Sequence, residues 1–279
     1  MALRWEYLPK WQRDNEFITR GYRESSHSYC HSMRDIKKLH NETVNIWSHL
    51  LAAILFSIGL IQFFVECDDL SMDAVVVIIF FLGVITCFAF SCGYHLFSNH
   101  SERVMDLSQR LDHLGVVFVI WGSAIPFIYF AFYCDRQLQR LYMTFVTAAA
   151  LVSMIYVFRP NFRHPNRRPI RTLTYFALGF SAFLPAIHLL THVDEQALYQ
   201  RTVLASFKNL AILNSLGGLI YAIRVPERFY REIFDIYFSS HQIMHVMVIF
   251  GALVYTKGLL TTREYWHNDR GNRMVCLAV

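Results

Sequence analysis

Seven runs of apolar residues divide this chain of 279 residues, and short polar stretches separate them. Each run has about 20 residues, enough to cross a bilayer as an α-helix with a rise of about 1.5 Å per residue. The predicted spans are Ile46–Val65, Ala74–His95, His113–Tyr133, Leu138–Phe158, Ile170–Leu190, Val203–Ile223 and Tyr237–Leu260. The pattern therefore predicts an all-α membrane protein built as one bundle of seven transmembrane helices.

The spans define three regions: an N-terminal segment at 1–45, the helical domain at 46–260 and a C-terminal tail at 261–279. The N-terminal segment is polar, carries eight Lys or Arg and contains scattered aromatic residues. This composition fits an element lying on the headgroups of a membrane, and it equally fits a solvated tail.

Composition agrees with a membrane protein, since 54% of residues are hydrophobic and only 17% are charged. The charged residues gather between the apolar runs. The net charge of +5 comes from these flanking segments. No nucleic-acid-binding motif is present, so nucleic acid is excluded as a partner. The N-terminus has no signal-peptide pattern, and the six cysteines include no C-x-x-C pair that would indicate a metal site or disulfide framework.

Basic residues predict the orientation of the bundle. Eight Lys or Arg precede the first span, whereas the loop after it, at 66–73, has none. By the positive-inside rule the N-terminus is cytoplasmic and the C-terminus is extracellular or lumenal. Both N-glycosylation sequons, at Asn41 and Asn99, then fall on the cytoplasmic side and should carry no glycan.

This topology brings several polar residues to one depth, near the cytoplasmic boundary. His95 ends the second span, Asp112 precedes the third, and His241 and His245 open the seventh, one helical turn apart. Three imidazoles with one open coordination position are typical of a catalytic zinc site. Asp112 is a candidate fourth ligand or general base, and Ser91, one turn before His95, is a candidate donor to water or to a substrate oxyanion.

A simpler interpretation stays open at this point. A His pair at i and i+4 occurs often by chance, and histidines near helix ends commonly contact lipid headgroups. The other histidines of the chain, His49 among them, have no partner that the sequence identifies and are interpreted in that way.

Several motifs, in order along nearly the whole chain, resemble the progestin and adipoQ receptor family. They are His40 to His49 (HNETVNIWSH), Gly21-Tyr22-Arg23, Ser91 to His95 with His100-Ser101-Glu102, Leu111-Asp112, Phe132-Tyr133-Cys134, Val225 to Arg228 and Ser240 to His245. The stretches Thr43–Leu50 and Gly93–Ser98, with Ser239-Ser240, are most similar to a Golgi-resident member that tethers a signalling kinase.

The resemblance implies a zinc ion (Zn²⁺) held by His95, His241 and His245, with Asp112 and Ser91 beside its water. It also implies membrane lipids as partners, and a location in the Golgi or plasma membrane. Three functions follow from it: a signalling receptor, a zinc-dependent hydrolase of a lipid amide such as ceramide, and a scaffold that binds a cytoplasmic kinase through the N-terminal segment. The short N-terminal segment argues against adiponectin binding. A transporter is disfavoured because the sequence has no internal repeat.

Overall fold

The computed structural model describes residues 3–67, 70–159, 168–190 and 204–268. The described part of the chain is helical apart from turns and one isolated β-bridge between Leu3 and Tyr22. The α-helices are α1 (Tyr29–Arg34), α2 (Thr43–Glu66), α3 (Met72–Phe97), α4 (Glu102–Ala131), α5 (Arg136–Val157), α6 (Arg168–Leu190), α7 (Leu204–Ile223) and α8 (Ser240–Asn268). Helices α2 to α8 correspond one to one with the seven predicted spans, which confirms the predicted all-helical bundle.

Two helices extend well beyond the predicted spans. Helix α4 begins at Glu102, where Ser101 adopts an extended conformation, and so includes a polar stretch before the apolar run. Helix α8 continues past Leu260 to Asn268. The apolar pattern marks only the part of a helix that lies in lipid, whereas backbone hydrogen bonding continues into water until a residue ends it. Residues 269–279 of the predicted tail lie outside the described residues.

Six of the described helices are long and apolar enough to cross a membrane, counting α6 from Leu173. Helix α7 has the length, with 20 residues, but falls short in hydropathy because it carries Lys208, Asn209 and Asn214. Large apolar side chains such as Leu151, Val152 and Ile155 are exposed on the outer surface of the bundle, as expected for a surface in contact with lipid.

Close glycine contacts join α3 to α4. A Cβ atom on Gly83 would lie 2.7 Å from the Phe118 carbonyl oxygen, and one on Gly115 would lie 2.8 Å from Cys87 Cα. Such distances leave room for glycine alone, so the two backbones touch directly. Helices α7 and α8 also approach closely, since a Cβ on Gly217 would lie 3.4 Å from the Met244 Cα.

The N-terminal segment folds onto one end of the bundle, which we call the proximal face; the opposite end is the distal face. The backbone N–H of Thr19 donates to Asp235 Oδ1 at 3.0 Å, and its hydroxyl donates to Asp235 Oδ2 at 2.9 Å. Leu8 and Ile18 are buried. The segment is therefore not a solvated tail; it is a packed layer fixed to the loop before α8.

Candidate metal centre

Three histidines from two helices converge just inside the proximal face. His95 lies near the end of α3, and His241 and His245 lie in the first two turns of α8. One ring nitrogen from each of the three lies within 4.8 Å of the others. The ring centroids are 4.9 Å apart for His95 and His241, 5.0 Å for His95 and His245, and 4.8 Å for His241 and His245. The structure thus brings together the three histidines that the sequence predicts as metal ligands.

The start of α8 is fixed by a buried carboxylate. Glu227 accepts hydrogen bonds from the backbone N–H of Ser240, at 2.8 Å, and from its hydroxyl. A carboxylate at a helix N-terminus satisfies unpaired N–H groups and opposes the positive end of the helix dipole. Glu227 also accepts from Asn15 Nδ2 at 3.1 Å, which ties the N-terminal segment to the same point. This arrangement holds His241, the second residue of α8, in position.

The imidazole of His95 is oriented by Glu42, the residue before α2. His95 Nδ1 and Glu42 Oε2 are 2.7 Å apart, and Asn45 Nδ2 donates to the same oxygen at 2.7 Å. His95 Nε2 is buried and has no hydrogen-bond partner among the described residues. A carboxylate on one ring nitrogen with the other nitrogen left open is the usual arrangement around a metal-binding histidine.

The charge of Glu42 is retained at this position. Burial acts to raise the pKa of its carboxyl group. Attraction to His95 and hydrogen bonds from His95 and Asn45 outweigh that effect, so the pKa lies well below its usual range. Glu42 is therefore an anion at neutral pH and strengthens the donor character of His95.

The imidazole of His245 is enclosed by α2. Its Nδ1 is 3.3 Å from the Ser48 hydroxyl oxygen, and its ring stacks on His49 at a centroid distance of 3.6 Å and an interplanar angle of 7°. His49 is 4% exposed. The interpretation of His49 as a headgroup contact is therefore wrong: its ring forms part of the wall around the histidine cluster. The error arose because the sequence does not reveal which face of α2 meets α8.

Ser91 and Asp112 lie beside the cluster without belonging to it. Asp112 lies within hydrogen-bonding reach of Ser91, and it is also close enough to His95 for an electrostatic interaction. Ser91 is buried, one turn before His95 on α3. Asp112 is not one of the groups within 4.8 Å that could share an ion. Among the described residues, the group that could share an ion therefore consists of the three histidines without Asp112.

A small cavity of about 80 Å³ separates the cluster from the N-terminal segment. His95, His241 and Glu42 line it on one side and Asn15 and Tyr22 on the other. The volume is sufficient for several water molecules. His95 and His241 therefore adjoin a polar cavity at the proximal face.

The donor set fits zinc. Three neutral imidazoles suit zinc better than magnesium or calcium, which prefer oxygen ligands. The Nε2 of His95, which has no hydrogen-bond partner among the described residues, and one ring nitrogen of each of the other two histidines could serve as the coordinating atoms. The adjacent cavity supplies space for an additional ligand.

Glu42 and His49 are the site residues that the sequence-based interpretation missed. Glu42, Asn45 and His49 are spaced by three and four residues, so they share one face of α2 at its proximal end. A polar stripe on an otherwise apolar helix was the available signal.

Comparison with known proteins identifies the family of this chain. Residues 37–256 match the family described as "Haemolysin-III related". The chain is 35% identical over 261 residues to the adiponectin receptor protein of Drosophila melanogaster, covering 92% of this chain and 59% of that protein. It is 33% identical over 266 residues to progestin and adipoQ receptor-like protein 1 of Caenorhabditis elegans, covering 92% of this chain and 60% of that protein.

A relative in Saccharomyces cerevisiae, ADIPOR-like receptor IZH2, is 29% identical over 275 residues, covering 97% of this chain and 87% of that protein. The family match extends from before α2 to within α8, and so includes all three clustered histidines. The chain is therefore a multi-pass integral membrane protein that belongs to the haemolysin-III-related family, among its progestin and adipoQ receptors.

Proposed function

We propose that this chain is a receptor-like signalling protein with a zinc ion bound by His95, His241 and His245 inside the membrane. The observation that carries the proposal is the three-histidine cluster, with one nitrogen of each within 4.8 Å. The Glu42 carboxylate on His95 and the Ser48 hydroxyl near His245 support it, because both leave the second ring nitrogen for the metal. The names of the Drosophila and Caenorhabditis relatives support a receptor role.

Metal analysis of the purified protein tests this proposal. We expect about one zinc per chain, and we expect His245→Gln to lose it. The matched control is His100→Gln, because His100 lies at the proximal face outside the cluster, between α3 and α4. Wild-type protein without zinc after purification free of chelators would overturn the proposal.

The orientation of the bundle is also proposed, with the proximal face in the cytoplasm of a Golgi or plasma membrane. The basic N-terminal segment supports it. So does the disulfide bond formed by Cys134, in the loop between α4 and α5 at the distal face, because disulfides persist in lumenal and extracellular compartments. Fluorescence imaging with epitope tags, one before residue 1 and one after residue 279, under selective permeabilisation tests both statements. A C-terminal tag accessible from the cytoplasm, or an N-terminal tag accessible only from the other side, would contradict the orientation.

The second candidate function is hydrolysis of a lipid amide. The neighbouring Ser91 and Asp112 favour it, since an acid and a hydroxyl beside an open metal position are what amide hydrolysis requires. Zinc, when bound, would polarise a carbonyl group and lower the pKa of water. Asp112 would accept or deliver a proton, and the Ser91 hydroxyl would donate a hydrogen bond to the developing oxyanion.

An assay of ceramide hydrolysis on protein with measured zinc content separates this function from a structural zinc site. Asp112→Asn should abolish turnover and leave zinc bound, and Asp106→Asn serves as the control because Asp106 pairs with Arg110 on the outer part of α4. Equal turnover by wild type and Asp112→Asn would reject the catalytic role of Asp112.

The third candidate is a scaffold that binds a kinase through the N-terminal segment. Exposed apolar side chains on that packed layer favour it: Tyr29 and Met33 of α1 are 53% and 56% exposed. Deleting the segment would be a poor test, because Thr19 and Asn15 hold the loop before α8. Replacing Met33, the more exposed of the two, by serine changes the surface with the least effect on packing, because the Tyr29 ring also contacts Phe97 and His100. Kinase binding unchanged by Met33→Ser would contradict the scaffold function.

A further inference from the structure

A second cavity, of about 570 Å³, lies between α2 and α8 in the half of the bundle next to the distal face. It runs along α2 from Leu55 to Glu66 and along α8 from Leu253 to Glu264, and Phe81 of α3 lies at its base. Its volume falls within the roughly 300–1,000 Å³ that is typical of ligand sites. Neither the histidines nor Ser91 and Asp112 line it, so it is separate from the proposed metal centre.

This cavity, which we call the groove between α2 and α8, has a length that matches one leaflet of a bilayer. Helices α2 and α8 both run from the proximal to the distal face, and the lined stretch of each spans about 17 Å at a rise of 1.5 Å per residue. A single leaflet contributes about half of the roughly 30 Å hydrocarbon core. Glu66 and Glu264 lie about 35 Å along their helices from the proximal ends, at the depth of the distal headgroups.

The groove is apolar along its length and charged at its distal end. Leu55, Ile58 and Leu253 are 49%, 49% and 38% exposed, so the groove opens toward lipid. Arg263, Glu66 and Glu264 stand together at the end. An apolar groove with charged groups at one end is complementary to a molecule with a hydrocarbon chain and a polar headgroup.

The guanidinium of Arg263 is incompletely satisfied. Its Nη2 donates to the Cys67 sulfur at 3.3 Å, a weak acceptor, and its Cζ lies 4.9 Å from the Phe63 ring centroid. Its Nε is buried and has no hydrogen-bond partner within the described ranges. Among the ion pairs of the described residues, none joins Arg263 to Glu66 or Glu264. A buried N–H of a cation without an acceptor is costly, and phosphate is the acceptor that the planar guanidinium matches best.

From this geometry we propose that the groove between α2 and α8 binds one zwitterionic glycerophospholipid of the distal leaflet. An acyl chain lies along Leu55, Ile58 and Leu253, and the phosphate accepts hydrogen bonds from Arg263. The ammonium group of a choline or ethanolamine head lies against Glu66 and Glu264. Two carboxylates beside one guanidinium repel an anionic lipid headgroup, whereas they complement a zwitterionic headgroup, which carries a positive and a negative charge.

Native mass spectrometry of the full chain, released from nanodiscs of mixed lipids, tests the proposal. We expect one retained phosphatidylcholine or phosphatidylethanolamine, in preference to phosphatidylglycerol. Arg263→Gln should weaken retention about tenfold, the usual size of the loss of one charge-assisted hydrogen bond. Lys257→Gln is the matched control, since Lys257 is an exposed cation on α8 outside the groove.

A second pair of variants tests the acyl-chain part of the groove. Ile58→Trp should fill the groove and lower retention, whereas Ile61→Trp should not, because Ile61 is 62% exposed on α2 but does not line the groove. The melting temperature of each variant, measured in parallel, verifies that the bundle is folded. Equal retention by Arg263→Gln and Lys257→Gln would overturn the proposal, and so would equal retention by the two tryptophan variants. Preferred retention of phosphatidylglycerol would also overturn it.

Discussion

Replacing Glu42 tests whether a carboxylate outside the histidine cluster controls metal affinity. Its Oε2 lies 2.7 Å from His95 Nδ1, a distance typical of a charge-assisted hydrogen bond. Its side chain is only 24% exposed, so solvent screens the interaction weakly. Glu42→Gln keeps the side-chain shape and a neutral hydrogen-bond acceptor but removes the negative charge. Glu42→Ala removes the acceptor as well as the charge.

The expected loss follows from the energy of that bond. A hydrogen bond to a charged group contributes about 1.5–3 kcal/mol, and about 1.4 kcal/mol corresponds to a tenfold change in affinity. Glu42→Gln, which keeps part of the bond, should weaken zinc binding about tenfold. Glu42→Ala should weaken it about a hundredfold, in line with the effect of removing partners of metal-binding histidines.

Competition with a chelator measures this effect directly. Purified protein is titrated with a chelator of known zinc affinity, and the zinc that stays bound is counted by mass spectrometry. Asp106→Asn is the control, because it also removes one carboxylate near the proximal face but leaves the cluster untouched. If the Glu42→Gln and wild-type titrations coincide, Glu42 does not tune the metal site and the reasoning fails.

Three further outcomes follow from the proximal face and the helix contacts. Burial lowers the pKa of His40 to about 4, so the folded state favours the neutral ring; stability should be complete above the unfolded pKa of 6.5 and fall as pH drops toward 4. Melting curves in detergent at pH 7 and 5 should show this loss in wild type and in the control His31→Gln, because His31 is exposed. The loss should be smaller in His40→Gln, and equal losses in the two variants would refute the reasoning. Arg23→Met should cost about 3 kcal/mol, because it leaves carbonyl groups at the end of α3 without their donor; an unchanged melting temperature would contradict this. Gly115→Ala should destabilise by about 1–3 kcal/mol, whereas Gly93→Ala should not, since a Cβ at Gly93 meets no atom within 4 Å; equal melting temperatures would count against the tight helix contact.

The helices and the grouping of the three histidines could be predicted because they depend on the length of the apolar runs and on the alternating direction of successive helices. Runs of about 20 apolar residues are required by the thickness of the bilayer, whatever the tertiary structure. The alternation of helix direction then brings the end of α3 and the start of α8 to the same face. His95, His241 and His245 could therefore be grouped without knowledge of how the helices pack side by side.

The surroundings of the cluster depend on lateral packing, which the same patterns do not determine. Placing Glu42 against His95 requires α2 to lie beside α3, and stacking His49 on His245 requires α2 to lie beside α8. An apolar helix in lipid offers little amphipathic signal to define its inward face. Only the spacing of Glu42, Asn45 and His49 contained that information.

The fold of the N-terminal segment could not be predicted for a different reason. The segment has no helical period or strand alternation, and its position is fixed by contacts distant in sequence. Asn15 bonds to Glu227 and Thr19 bonds to Asp235, partners more than 200 residues away. Each contact uses a common surface residue type, so neither stands out in the sequence.

The glycine contacts described above group four of the helices into two closely packed pairs. Helices α3 and α4, in direct backbone contact at Gly83 and Gly115, carry His95, Ser91 and Asp112 as one body. Helices α7 and α8, close at Gly217, carry His241 and His245 as another. A metal ion bound by all three histidines would join these bodies near the proximal face, in addition to contacts such as the hydrogen bond from the Tyr255 hydroxyl to the Ser123 carbonyl oxygen. A rotation of one body against the other would then change the coordination geometry of the metal. Because such coupling is reciprocal, a ligand that changes the coordination would shift the rotation by an equal free energy.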